Sequence, residues 1–102
     1  MLSANALTFL RSYFMGKISY AAYLVDETEY TTDIQTAVLQ EDGRIEITVS
    51  LDHDAAEEIT MTEVRLYDPD DVLLASKTEN IVQNAGQEGI LYRFTFTIVE
   101  ES

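Results

Sequence analysis

The feature that most constrains the fold is the stretch Ile34 to Leu51, where two strand-like runs flank Glu41-Asp42-Gly43. An Asp-Gly pair between such runs is a strong hairpin signal, because the tight turn needs a backbone with positive φ that glycine adopts without steric cost. The second arm, Arg44 to Leu51, alternates without error. Ile45, Ile47, Val49 and Leu51 fall on one face, and Glu46, Thr48 and Ser50 on the other. A period of two over this length marks a strand with one face on a core and one in water. Four large apolar side chains in a row must be covered by a second layer, so the hairpin calls for a sandwich or curled sheet.

The rest of the chain supplies that second layer. Residues 3–15 read as an amphipathic helix with Ser3 as N-cap, Leu2 and Leu7 as a hydrophobic staple, and Leu7, Leu10 and Phe14 as the stripe facing the sheet. Gly16 is placed to end this helix in a left-handed conformation, with Lys17 beside the negative end of the dipole. Lys17 to Val25 is apolar on both faces and reads as a covered strand. Asp26 to Asp33, acidic and rich in threonine, reads as an exposed loop, and Asp52 to Glu58 as a polar connection. Ile59 to Asp68 changes phase, with Ile59 and Met61 on one parity and Val64 and Leu66 on the other, which predicts a β-bulge near Thr62–Glu63. Asp68-Pro69-Asp70-Asp71 is a turn, Val72 to Lys77 a returning strand, and Asn80 to Gly89 a loop. The last strand, Ile90 to Glu100, places Ile90, Tyr92, Phe94, Phe96 and Ile98 on one face. The expectation is one domain spanning residues 1–102: an α+β fold with an N-terminal helix packed on a mostly antiparallel β-sandwich or curled sheet of about six strands.

Charge and composition narrow the function. Nineteen acidic residues against six basic ones give a formal charge of −13. Such a surface repels phosphate backbones and anionic lipid, which argues against nucleic-acid and membrane partners. The chain has no cysteine, so thiolate nucleophiles and cysteine-ligated metals are excluded, and a reducing compartment or an assembled particle is favoured. Ala6 to Met15 is largely apolar, but no positive charge precedes it and Arg11 interrupts it, unlike a signal peptide. No apolar run approaches the roughly 18 residues that span a bilayer.

Candidate chemistry is sparse. His53 is the only histidine, set in Leu51-Asp52-His53-Asp54, with Ser50 and Thr60 nearby in sequence. No nucleophile elbow or oxyanion loop accompanies it, and it reads as a solvated loop residue. Asp52, Asp54 and Glu63 outline a calcium loop, but Ala56 and Glu57 occupy the positions where an EF-hand needs an oxygen ligand and a glycine. Asp68, Asp70 and Asp71, and Asp26, Glu27 and Glu29, read as charged turns before they read as Ca²⁺ sites. Tyr20, Tyr67 and Tyr92 fall within strands, where core or interface roles are expected. No catalytic, cofactor-binding or metal residue is singled out, and no cofactor is implied.

Ile59 to Asp68, followed by Pro69-Asp70-Asp71-Val72-Leu73-Leu74-Ala75, resembles a motif of bacteriophage tail-collar and tail-fibre proteins, in their N-terminal, baseplate-proximal domain. There a strand reading roughly Glu-hydrophobic-Gly-Leu-Tyr/Phe-Asp enters an Asp-Gly turn and returns in a strand ending Leu-hydrophobic-Ala. The helix-first order is similar too. In this chain Arg65 stands at the family's strand glycine and Asp71 at its turn glycine. The resemblance implies a non-enzymatic phage or prophage component located in the virion or the bacterial host cytoplasm. Its partners would be other tail or baseplate proteins or further copies of itself, as a homo-oligomer. Association through strand edges is the expected mode, with the last strand as one edge and Ile18, Tyr20 and Tyr23 on another. The rival from a different class is a small β-rich module that binds carbohydrate or Ca²⁺ through its acidic loops.

Overall fold

The computed structural model describes residues 2–53, 57–86 and 89–98. Its elements are α1 (Ala4–Lys17), β1 (Tyr20–Val25), β2 (Thr28–Thr32), β3 (Ile34–Leu39), β4 (Arg44–Leu51), β5 (Ile59–Tyr67), β6 (Leu73–Gln83) and β7 (Ile90–Thr97). The strands form two antiparallel sheets, one ordered β2-β1-β5-β6 and the other β3-β4-β7. The result is the expected α+β architecture, a helix on a sandwich, with seven strands rather than six.

β4 is the central strand of the smaller sheet, and Ile45, Ile47, Val49 and Leu51 are all fully buried. Across the core they face Ala21, Tyr23 and Val25 of β1 and Met61, Val64 and Leu66 of β5. From β7, Phe94 joins this cluster, with Ile90, Tyr92, Phe96 and Ile98 packed partly against it as their alternation requires. The hairpin turn forms where the Asp-Gly pair stands: Gly43 has φ +90°, and Gly43 N–H donates to Gln40 O at 3.0 Å. The bulge is present as well. Thr62 is the extra residue of β5 facing β1, because Leu24 pairs with Glu63 and Val25 with Met61. This one insertion lets both Met61 and Val64 point inward.

Two polar stretches read as loops are strands. Asp26 and Glu27 both have positive φ, 51° and 66°, and form a two-residue turn from β1 into β2. Such a turn usually carries Asn or Gly, so Asp-Glu gives little signal of it, and β2 itself is exposed and has no apolar alternation. β6 runs through Gln83, well past Lys77, so the first four residues of the expected Asn80–Gly89 loop are strand. Its Ser-Lys-Thr-Glu-Asn sequence lies on a sheet edge, where polar residues remain hydrated while the backbone pairs with β5. Residues 99 and 100, the end of the expected last strand, lie outside the described residues.

The helix departs from expectation at its end and on its face. Ser3 caps it as read, its hydroxyl accepting from Ala6 N–H at 3.1 Å. Gly16, however, lies within the helix, which continues to Lys17; Ile18 then turns extended at φ −75°, ψ 113° and packs against the core. Burial of that isoleucine, rather than a left-handed glycine, sets the end. Phe14 and Met15 also pack on the core, and the Phe14 ring meets Phe96 edge-on at 5.4 Å. Leu10 does not turn inward: it is half-exposed. The inward position one turn earlier belongs to Arg11, whose Nε and Nη2 donate to Ile98 O at 3.2 and 2.8 Å and whose guanidinium lies over Gly43. A Cβ at Gly43 would sit 2.7 Å from that guanidinium carbon, so glycine serves both the turn and the helix seat.

Phe94→Ala is expected to cost about 3–5 kcal/mol, as large-to-small changes in a closed core do. Leu91→Ala, at an exposed position of the same strand, should stay within about 0.5 kcal/mol. Urea unfolding of the two variants checks the assignment of β7's faces. Equal losses would contradict it.

Candidate functional site

The most organised polar surface is the outer face of the larger sheet. Alternation that sends Ala21 and Tyr23 inward sends Tyr20, Ala22 and Leu24 outward, and on β5 it exposes Glu63, Arg65 and Tyr67. Register then pairs Tyr20 with Tyr67 and Ala22 with Arg65. The two tyrosine rings stack at 5.1 Å with a 14° interplanar angle. Tyr67 Oη donates to Glu29 Oε2 at 2.5 Å, and Arg65 Nη1 donates to the same oxygen at 2.7 Å. Arg65 Nε is paired with Glu63. Tyr20 Oη donates to Asp71 Oδ1 at 2.7 Å, tying β1 to the turn before β6.

These contacts set the titration of the cluster. The hydrogen bond to Asp71, with desolvation and the Asp71 charge, pushes Tyr20 up to about 12. The hydrogen bond from Tyr67 is the main cause that holds Glu29 below the ordinary 4.5; desolvation opposes it, and Arg65 adds to it. Tyr67 is pushed up in turn by Glu29. The chemistry is that of a hydrogen-bond network in which the carboxylates accept and the guanidinium and phenols donate.

Strand order places Tyr67 on one side of Tyr20 and β2 on the other. The ring face that Tyr67 leaves uncovered therefore borders an open cleft of about 550 Å³, lined also by Thr31, Thr32, Asp33 and Asp71. Tyr20 and Tyr67 thus serve the outer surface rather than the core. Tyr92 does face inward, and its hydroxyl donates to Glu79 Oε1 at 2.7 Å, bridging the two sheets.

His53 is not a solvated loop residue. Its Nδ1 lies 3.0 Å from Tyr23 Oη, and its ring meets Tyr30 at 4.6 Å and Tyr23 at 5.7 Å, both edge-on. Gln83 clasps its backbone, Nε2 donating to His53 O at 3.0 Å and Oε1 accepting from His53 N–H at 3.4 Å. The partner of the imidazole is a buried phenol on β1 of the opposite sheet, not Ser50 or Thr60. Nothing local in the sequence announces this, because Tyr23, Tyr30 and Gln83 come from three different strands.

The acidic turns are occupied by their own backbone. Asp68 Oδ1 accepts from Asp70 N–H at 2.8 Å and Val72 N–H at 2.9 Å, and Asp42 accepts from Arg44. Among the described residues no three acidic or histidine side chains converge as a metal cage; Asp54 lies outside those residues. The expected second edge is also revised. β1 is an interior strand, and Ile18 and Tyr23 pack into the core, so the edges are β2 and β6 in one sheet and β3 and β7 in the other.

Among the described residues no helix is long and apolar enough to cross a membrane. Compared with protein-family models, curated proteins and solved structures, the chain matches none.

The Glu29 network carries an acid signature. Its folded pKa lies below its unfolded value, so its stabilising contribution is full above about pH 4.5 and is lost as pH falls through the folded pKa. Glu29→Gln should flatten the fall in stability below pH 4.5, measured as urea midpoint against pH. Tyr20 has the opposite sense: its stabilising contribution holds below pH 10 and fades as pH rises toward 12. In Asp71→Asn, NMR titration of the tyrosine rings should find Tyr20 ionising closer to 10. Millimolar Ca²⁺ should leave the melting temperature almost unchanged, because Asp68 already serves the turn and only binding to the native state adds stability. A saturable rise abolished by Asp70→Asn and Asp71→Asn would contradict that.

Proposed function

We propose that this chain is a non-enzymatic structural subunit of a phage or prophage tail or baseplate, which works by docking to other subunits. The observation that carries the reading is the β5–β6 hairpin. Where the tail-collar motif has its turn glycine, this chain has Asp71, and Asp71 adopts φ +64°, a left-handed conformation that glycine reaches without steric cost. The backbone therefore turns as an Asp-Gly turn would. Asp68 N–H donates to Val72 O at 3.0 Å and Asp71 N–H to Asp68 O at 3.1 Å, closing the hairpin around Pro69. At the second departure from the motif, Arg65, the side chain lies outside the core and is held by Glu29 and Glu63. Replacing the strand glycine there costs no core space. An outer face whose charged and phenolic groups bond one another fits a structural role.

A second reading, a carbohydrate-binding module, rests on the uncovered face of Tyr20 beside the hydroxyls of Thr31 and Thr32 and the carboxylates of Asp33 and Asp71. A glycan array probed with wild type and Tyr20→Ala separates the two readings, binding lost in the variant supporting the second.

The tail reading expects tail, baseplate or lysis genes on either side of this gene. It also expects immunogold labelling of tailed particles by an antibody raised against the chain. Flanking genes of unrelated kind together with unlabelled particles would remove it.

A further inference from the structure

The helix carries two apolar faces, and the sandwich uses only one. Phe14, Met15 and Ile18 pack on the core, all from the C-terminal end of α1 and the residue that caps it. The opposite face is left uncovered: Phe9 is 75% exposed and Tyr13 67%, with Leu2 and Leu10 half-exposed beside them. Together with Ala6 they line one continuous apolar surface. Large exposed aromatics in a contiguous patch are uncommon on a monomer and mark an interaction surface. In the N-terminal half of the helix no residue belongs to the core cluster.

We infer that this face pairs with the same face of a second copy of the chain. The pattern is self-complementary. Ala6, Phe9 and Tyr13 recur at intervals of three and four, the seam of paired helices, and Leu2, just ahead of the Ser3 cap, extends the row by four residues. A two-fold antiparallel pairing sets Leu2 against Tyr13 and the small Ala6 against the large Phe9, and each contact occurs twice. Charge selects the same arrangement. All nineteen acidic residues lie at or beyond Asp26, so the segment through Ile18 carries only Arg11 and Lys17, a formal +2, while the rest carries −15. Two such bodies repel, and the helix offers an apolar surface on which copies meet without bringing carboxylates together. Antiparallel pairing leaves the bodies at opposite ends of a helix about 21 Å long, beyond the Debye length of about 10 Å at 0.1 M salt. The aromatic rings and leucines expose about 400 Å² per copy, giving roughly 800 Å² in total, within the weak or transient class. A contact of that size suits subunits held at high local concentration, and the inference rests on the assembly reading above.

The test is sedimentation equilibrium of the full chain at several protein concentrations, from about 0.01 M to about 0.5 M salt, where screening lengths fall from about 30 Å to a few ångströms. Wild type should associate, and more strongly as salt rises. Phe9→Glu with Tyr13→Glu should be monomeric throughout, with an unchanged melting temperature because both positions are exposed. Leu91→Glu, on the β7 edge, should associate as wild type does. A wild type that stays monomeric at every concentration and salt overturns the inference. So does association that survives in the helix variant or is lost in Leu91→Glu, which would move the interface to the strand edge. Co-sedimentation of monomeric wild type with phosphatidylcholine vesicles, lost in the helix variant, would overturn it in favour of a lipid surface. The tail reading stands or falls separately, on the flanking genes and particle labelling.

Discussion

The structure depends on burying one face of β4. Ile45, Ile47, Val49 and Leu51 are wholly excluded from water, and β4 is hydrogen-bonded on both sides, to β3 and to β7. A strand with four large apolar residues on one face and polar residues on the other cannot slip by one position, since every side chain would change face. That register fixes β7 opposite it, with Phe94 beside Ile47 and Phe96 beside Ile45. It likewise fixes β3 through the Gly43 turn. The larger sheet then closes over this face, and β2 passes into β3 through the single residue Asp33, carrying the chain from one sheet to the other. Thr32 Oγ1 donates to Ser50 O at 2.6 Å and joins the two sheets at that crossing.

Arg11 connects this core to the helix. It is a charged residue on the inward side of α1, where a leucine would match the pattern, and it is satisfied by the carbonyl of Ile98 at the end of β7. A partly buried charge is tolerated when its hydrogen bonds are supplied, and here the Ile98 carbonyl accepts two of them. The Arg11 guanidinium lies where a Cβ at position 43 would stand, and the φ of +90° there is one that glycine adopts without strain. One contact therefore couples the helix, the first hairpin and the last strand, and it holds the helix by one end while the apolar outer face stays open. The sandwich surface is different in kind. There, Glu29, Glu63, Arg65, Tyr67, Tyr20 and Asp71 satisfy one another, and a −13 chain gains local order from its few cations.

Much of the fold was legible because its signals are local. The Asp42-Gly43 turn, the alternation of β4 and β7, the phase change at Thr62 and the Ser3 cap each depend on spacing within a few residues. β2 and the second half of β6 were not legible. Both are edge strands: β2 keeps its side chains mostly in water, and in β6 the inward positions are taken by the polar Glu79 and Gln83 with Ile81 between them, so neither shows an apolar alternation. Their pairing comes from backbone hydrogen bonds to a neighbour, which any polar sequence can make. Leu10 misled for the converse reason: its spacing fits the inward stripe, but the helix side chains that reach the core are Phe14 and Met15, with Arg11 bonded to Ile98 O, and Leu10 is left half-exposed.

By itself the sequence determined the class of the fold, the turn of the central hairpin, the inward faces of its second arm and of the last strand, and the separation of an acid-free helix from an acidic body. These follow from periodicity, turn stereochemistry and charge, which are properties of the chain before it folds. Only the tertiary structure decided which tyrosines face water, that His53 packs between Tyr23 and Tyr30, and that the helix keeps a second apolar face uncovered. Each of those depends on which strands become neighbours. Neighbour order in a sandwich is set by the packing of two sheets across a shared core, a contact between residues far apart in the chain that no local spacing encodes.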